Sequence, residues 1–317
     1  MPLEVRKFGA LNEVFSDIHG EEENGQLNVE VTFAIDATVE NLAVAFYMDG
    51  SGSMESSGVY GRKGGLFGLG KQKNLVDEAM KVSIPYLAQK DANGSCRVAY
   101  WACGPQGDQI EPLGEVTEAT LSGLMFAGPK EDGGNTLLLP AVRDFVQYIK
   151  GLIQKGERVD AALGVIVTDG HFHDSEDVIE YTHDFLAKAI VEGKFPKTVF
   201  TVVGIGNGVN AEMMEEFSHE ATPADFPGRE IWCYALASEI TALPQLVAHL
   251  VDANTPAFHG GARIEDEQGR TVKTFEDMVP TVIAFPLPTS SRSFTLVAGD
   301  KRITQRIEVV EAEHHEG

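Results

Sequence analysis

Three short polar turns hold the residues whose types and spacing could do chemistry. Asp49, Gly50, Ser51, Gly52 and Ser53 directly follow an apolar run; Gly133, Gly134, Asn135 and Thr136 precede an amphipathic stretch; Thr168, Asp169 and Gly170 end a second apolar run. Together Asp49, Ser51, Ser53, Thr136 and Asp169 offer carboxylate and hydroxyl oxygens without a thiolate or an obligatory imidazole. Such donors suit a hard cation, Mg2+ (or Mn2+ or Ca2+), rather than Zn2+. Any one of these turns reads equally well as a β-turn or a helix cap. The three taken together predict a cation site.

Such a site needs a scaffold that brings the turns to one edge. Nearly continuous apolar runs at 42–48, 97–102, 162–168, 198–205 and 231–236 predict strands buried on both faces. Amphipathic stretches at 71–87, 137–153, 175–191, 211–217 and 239–251 predict the helices between them. Open α/β sheets take ligands at the carboxyl ends of their strands, where Asp49 and Asp169 fall. The expected fold class is therefore α/β: a doubly wound, mostly parallel sheet with helices on both faces, plus a small flanking antiparallel β unit. The expected domains are a 1–40 β segment, a 41–253 α/β domain and a 254–317 β segment. Shorter alternating runs at 27–33, 281–285, 294–297 and 302–309 suggest the flanking strands. The two ends could pair with each other or form separate elements.

A strand ending in Asp-x-Ser-x-Ser, then a Thr before a helix, then an Asp after a buried strand resembles the metal-ion-dependent adhesion site of von Willebrand factor A (vWA) domains. The resemblance spans about 42–252, and bacterial intracellular members of this look include those of tellurium-resistance and stress-response systems and others that serve ATPase-driven assemblies. It implies that Asp49, Ser51, Ser53 and Thr136 lie in or near the coordination shell, with Asp169 binding directly or through water. It further implies an open coordination position filled by an Asp or Glu of a protein partner, hence an adaptor or assembly module and not an enzyme. The stretch 55–70 then becomes a loop beside the site, with Tyr60, Leu66 and Phe67 available for partner contact, and His171 lies next to Asp169.

A rival reading is a metal-dependent hydrolase that uses Asp49 and Asp169 with His171 or His173 as general base. No nucleophile paired with a base accompanies it. Two glycine-rich stretches are weaker signals. Residues 65–71 nearly spell a phosphate-binding loop, but Gln72 stands where the metal-binding Ser or Thr belongs. Gly204, Gly206 and Gly208 lack the third glycine of a dinucleotide fingerprint, Val209 standing in its place.

Composition narrows the partners. With 25 Lys and Arg against 48 Asp and Glu, a formal charge of -23, the surface repels nucleic acid and anionic lipid. Cys96, Cys103 and Cys233 sit in apolar runs without paired spacing, as reduced buried thiols do in a cytoplasmic setting. No apolar run approaches the ~18 residues of a membrane span, and residues 1–6 lead into no signal-peptide core.

Overall fold

The computed structural model describes residues 3–34, 41–61, 73–91, 93–170, 172–206, 208–227, 230–237 and 256–311. β1 (Leu3–Lys7), β2 (Phe15–Glu23) and β3 (Gln26–Phe33) open the chain. The middle runs β4 (Leu42–Asp49), α1 (Gly52–Ser57), α2 (Leu75–Ala88), β5 (Cys96–Cys103), β6 (Gln109–Val116), α3 (Glu118–Leu121), α4 (Leu139–Gln154), β7 (Ala161–Thr168) and α5 (Ser175–Tyr181). It continues through a π-helical turn (Thr182–Leu186), α6 (Ala187–Val191), β8 (Lys197–Gly204), α7 (Ala211–Glu220) and β9 (Trp232–Leu236). The chain closes with β10 (Pro256–His259), β11 (Ala262–Asp266), β12 (Thr271–Phe275), β13 (Met278–Pro280), β14 (Val282–Pro288), β15 (Ser293–Ala298) and β16 (Lys301–Glu311). Two compact units result, one from Met1–Ala37 with Ser238–Gly317, the other from Thr38–Ala237.

In the first unit eight strands form one sheet in the order β12-β11-β15-β16-β1-β2-β3-β14, with every neighbouring pair antiparallel. The two ends of the chain meet at β1 and β16, where Leu3 lies opposite Glu311. Inward-facing Val5, Phe15, Leu27, Val29, Ile264, Phe285, Phe294 and Ile307 fill its core. Phe294 packs edge-on to both Phe15 and Phe285, at centroid distances of 5.6 and 5.1 Å.

This sheet corrects the expected fold class. Among the described residues 41% are strand against 25% helix, and the largest sheet is antiparallel rather than doubly wound and parallel. The flanking β unit is the larger sheet, not a small appendage. Strands half exposed to water leave only every second residue apolar, a weaker mark in sequence than a continuous run. In β2 even that alternation fails, because a bulge between Phe15 and Asp17 shifts the phase and leaves Phe15 and Ile18 as its buried residues.

The middle unit holds a six-stranded sheet in the order β6-β5-β4-β7-β8-β9. Strands β5, β4, β7, β8 and β9 run parallel and β6 pairs antiparallel with β5 at one edge. Every residue of β4 and β7 is buried, which accounts for their unbroken apolar composition. Phe200 of β8 stacks on Trp232 of β9 at 4.4 Å and meets Phe145 of α4 at 4.8 Å, fixing α4 against the sheet. A polar brace crosses the same layer: Arg97 of β5 donates to the Asp144 carboxylate of α4 through Nε and Nη2 at 2.9–3.0 Å, and the Tyr47 hydroxyl donates to the same carboxylate at 2.6 Å. Burial and Asp144 hold the Tyr47 phenol far above its ordinary range, so it remains a donor. The helix expected at 239–251 and the stretch 65–71 lie outside the described residues.

Candidate functional site

Asp49 ends β4 and is completely buried. Its two carboxylate oxygens have separate duties: Oδ1 accepts from the Ser51 amide at 2.8 Å, and Oδ2 accepts from the Thr168 hydroxyl at 2.7 Å. The first bond folds the turn after β4 back on itself; the second ties the end of β4 to the end of β7. Thr168 is itself set by the Gly170 amide, which donates to its Oγ1 at 3.0 Å. Burial, opposed by these hydrogen bonds and reinforced by neighbouring Asp169, raises the Asp49 carboxyl to about 7.

The second turn is fastened to the first through backbone. Gly52 donates to the Gly133 carbonyl at 3.0 Å and Gly133 to the Gly50 carbonyl at 2.9 Å. Residue 133 has to be glycine, because a Cβ there would stand 1.8 Å from the Ala102 carbonyl oxygen. Ala102 adopts a left-handed φ of 53°, uncommon for a residue with a side chain. The third turn joins through a reciprocal pair: the His173 amide donates to the Thr136 carbonyl at 2.9 Å, and His173 Nδ1 accepts from the Thr136 amide at 3.0 Å. Asp174 next to it accepts from the Leu138 and Leu139 amides at 2.7 and 2.9 Å and so caps α4.

The result is a cleft of about 590 Å³ lined by Ser51, Ser53, Thr136, Asp169, His173 and Asn210, with glycines between them. The Ser51 and Ser53 hydroxyls are 2.9 Å apart. Four of the five residues expected to bind a cation therefore line one cleft, and the fifth, Asp49, lies buried behind Ser51 and is hydrogen-bonded to it. Among the described residues no group of three or more His, Cys, Asp and Glu is placed to hold a metal. The donors gathered here are hydroxyls with two carboxylates. A buried carboxylate beside a second one, with paired hydroxyls at hand, fits a hard cation and suits a soft one poorly.

Tyr60 is not a partner-contact residue: it is buried, its ring meets Tyr100 edge-on at 5.9 Å, and its hydroxyl donates to the Asp49 carbonyl. It therefore belongs to the support of Asp49. Leu66, Phe67 and His171 lie outside the described residues. Of the rival hydrolase's groups, His173 has its Nδ1 occupied by a backbone amide. Sequence reasoning names Thr168 in the third turn but gives it no role, though a Thr immediately before Asp169 at the end of a buried strand is a signal that could have found its bond to Asp49.

No family model matches the chain, and no curated protein does. Among solved structures it is similar to the pilus adhesin SpaC from Lactobacillus rhamnosus GG in its open conformation, at 10% identity and a TM-score of 0.41, covering 96% of this chain and 47% of that one. It is also similar to the PilB minor pilin from Streptococcus sanguinis, at 11% identity and a TM-score of 0.39, covering 77% and 76%. A third is the human COPII-coat protein Sec24c, at 11% identity and a TM-score of 0.35, covering 92% and 43%. The chain spans about half the length of the first of these. At such scores the fold rests on this chain's own strand order.

These findings correct the family assignment. No family model and no curated protein supports membership of the vWA family. The resemblance read from five residues does not stand as membership of that family, and its adhesion-site label, tellurium-resistance link and stress-response link go with it. Among the described residues no helix is long and apolar enough to cross a membrane.

Proposed function

We propose that the middle unit is a binding module whose cleft takes a hard divalent cation and, through it, an acidic side chain of a protein partner. The observation that carries this reading is the meeting of Ser51, Ser53, Thr136 and Asp169 in one cleft backed by the buried Asp49 carboxylate. A cation there would offset the cost of burying Asp49 beside Asp169 and present an open position to an incoming carboxylate. Mg2+ fits this donor set, as do Mn2+ and Ca2+. The three free, buried cysteines fit a reducing compartment such as the cytoplasm.

The test is a Mn2+ titration followed by water-proton relaxation, with the wild-type chain and Asp169→Asn. The expected result is one saturable site whose relaxivity falls when a glutamate-bearing peptide displaces bound water, with the binding at least about tenfold weaker in Asp169→Asn. An absence of saturable Mn2+ binding, or equal binding by the variant, refutes the reading.

A further inference from the structure

The hairpin of β2 and β3 turns over two residues, Asn24 and Gly25, with Glu23 opposite Gln26. Both turn residues are left-handed, at φ 54° and 79°. A two-residue loop of that shape follows the twist of its strands, and asparagine, aspartate and glycine accept it most readily. The turn therefore calls for a sequence that is also chemically labile. Glycine carries no side chain to keep its own amide nitrogen away from the carboxamide before it, and asparagine is among the thermally labile residues.

Three Asn-Gly pairs occur in the chain, beginning at Asn24, Asn93 and Asn207. Asn207 lies outside the described residues, and the other two asparagines are both exposed. They are held differently. Asn93 donates its Nδ2 to the Glu157 carboxylate, and the Gly94 amide donates to the Asp91 carbonyl at 3.2 Å. Its leaving nitrogen and its attacking nitrogen are thus both engaged, and the Asn93 amide is fixed as well, to Asp91 Oδ1 at 2.8 Å. Among the described residues the Asn24 side chain and the Gly25 amide make no hydrogen bond.

We infer that Asn24 is a site of spontaneous deamidation in the folded protein, with water as the only co-reactant. The Gly25 amide nitrogen loses its proton and attacks Asn24 Cγ. A C–N bond forms, the Cγ–Nδ2 bond breaks, and ammonia leaves carrying that proton, so nothing is oxidised or reduced. Water then opens one of the two C–N bonds of the succinimide. Opening at Cγ leaves aspartate; opening at the former peptide carbonyl routes the main chain through Cβ and Cγ and leaves isoaspartate.

The two products differ in effect. Aspartate adds one negative charge beside Glu21, Glu22 and Glu23 but keeps the turn, since Asp-Gly takes the same loop shape. Isoaspartate adds a methylene to the main chain of a two-residue loop. That loop sets the register by which Leu27 and Val29 reach the core, so the hairpin loosens.

The experiment ages the full chain in mildly alkaline buffer, native and in urea, and follows the amide-to-acid mass change at Asn24 and Asn93 by peptide mapping, with isoaspartate resolved by chromatography. In the native chain conversion at Asn24 is expected to be at least about tenfold faster than at Asn93, because the hydrogen bonds at Asn93 must break before attack. In urea the two rates should converge. The separated isoaspartate form should melt below the Asn24→Asp chain, and Asn24→Gly, which suits the same turn, should abolish the fall in thermal midpoint that ageing brings. Equal conversion at the two positions in the native chain, faster conversion at Asn93, conversion of Asn24 in urea alone, or a difference that persists unchanged in urea would overturn the proposal. An isoaspartate form as stable as Asn24→Asp would overturn its effect on the hairpin.

Discussion

Asp49 shows how one side chain can be committed to structure and still be poised for chemistry. Its oxygens accept from Ser51 and Thr168, its carbonyl accepts from Tyr60, and no part of it reaches water. Tyr60→Phe removes a buried donor, and a loss of about 1–2 kcal/mol is expected in denaturant unfolding, together with weaker cation affinity. An unchanged affinity would make Tyr60 a packing residue alone. Gly133→Ala should cost more, because the added carbon meets a backbone oxygen that cannot move without disturbing β5. The expected signature is a fall in thermal midpoint and loss of cation response together. At this scale the oxygen donors were legible in the sequence, since a turn rich in Gly and Ser at a strand end advertises itself. Tyr60 was not, because the difference between a contact residue and a buried brace lies in where the chain folds back, which no local pattern records.

At the scale of elements, β4 and its neighbours carry the site. Asp91 accepts from the Val44 amide of β4 at 3.0 Å and from the Asn93 amide at 2.8 Å, and burial raises its carboxyl from 3.8 to about 6. The folded state thus holds that proton more tightly than the unfolded chain does. The stabilisation is complete below pH 3.8 and is lost as pH rises through about 6. Asp91→Asn should therefore flatten the fall in stability between those pH values relative to wild type, as read by chemical denaturation at several pH values; an unaltered slope contradicts this. Phe200→Ala should cost about 3–5 kcal/mol, because it empties the contact between Phe145 and Trp232. Continuous apolar runs made β4, β7 and β8 readable almost to the residue. Edge strand β6, mostly half-exposed, carried too little apolar signal to be read.

At the scale of the whole molecule, the sequence misleads on proportion. The middle unit shows itself through long apolar runs, whereas the eight-stranded antiparallel sheet is assembled from the two ends of the chain, and its cross-chain pairs such as Val5 with Val309 have no local signature. The short alternating runs point only to a small flanking unit, and β2, whose alternation a bulge interrupts, carries no readable run. The five-residue pattern suggests a family that no family model bears out, although four of the five residues line one cleft and the fifth, Asp49, is buried behind it. A motif's geometry and a chain's ancestry are separate matters.

The central claim, a cation held at the cleft, is tested most directly by the thermal midpoint after chelation, titrated with Mg2+, Mn2+ and Ca2+ for the wild type and Asp169→Asn. An ion that binds only the folded state raises stability by RT ln(1 + [L]/Kd), about 2.7 kcal/mol at a hundredfold excess over Kd. The account predicts a concentration-dependent rise in the wild type with at least one of the three ions and none in the variant. A flat wild-type response to all three, or the same rise in both proteins, contradicts it.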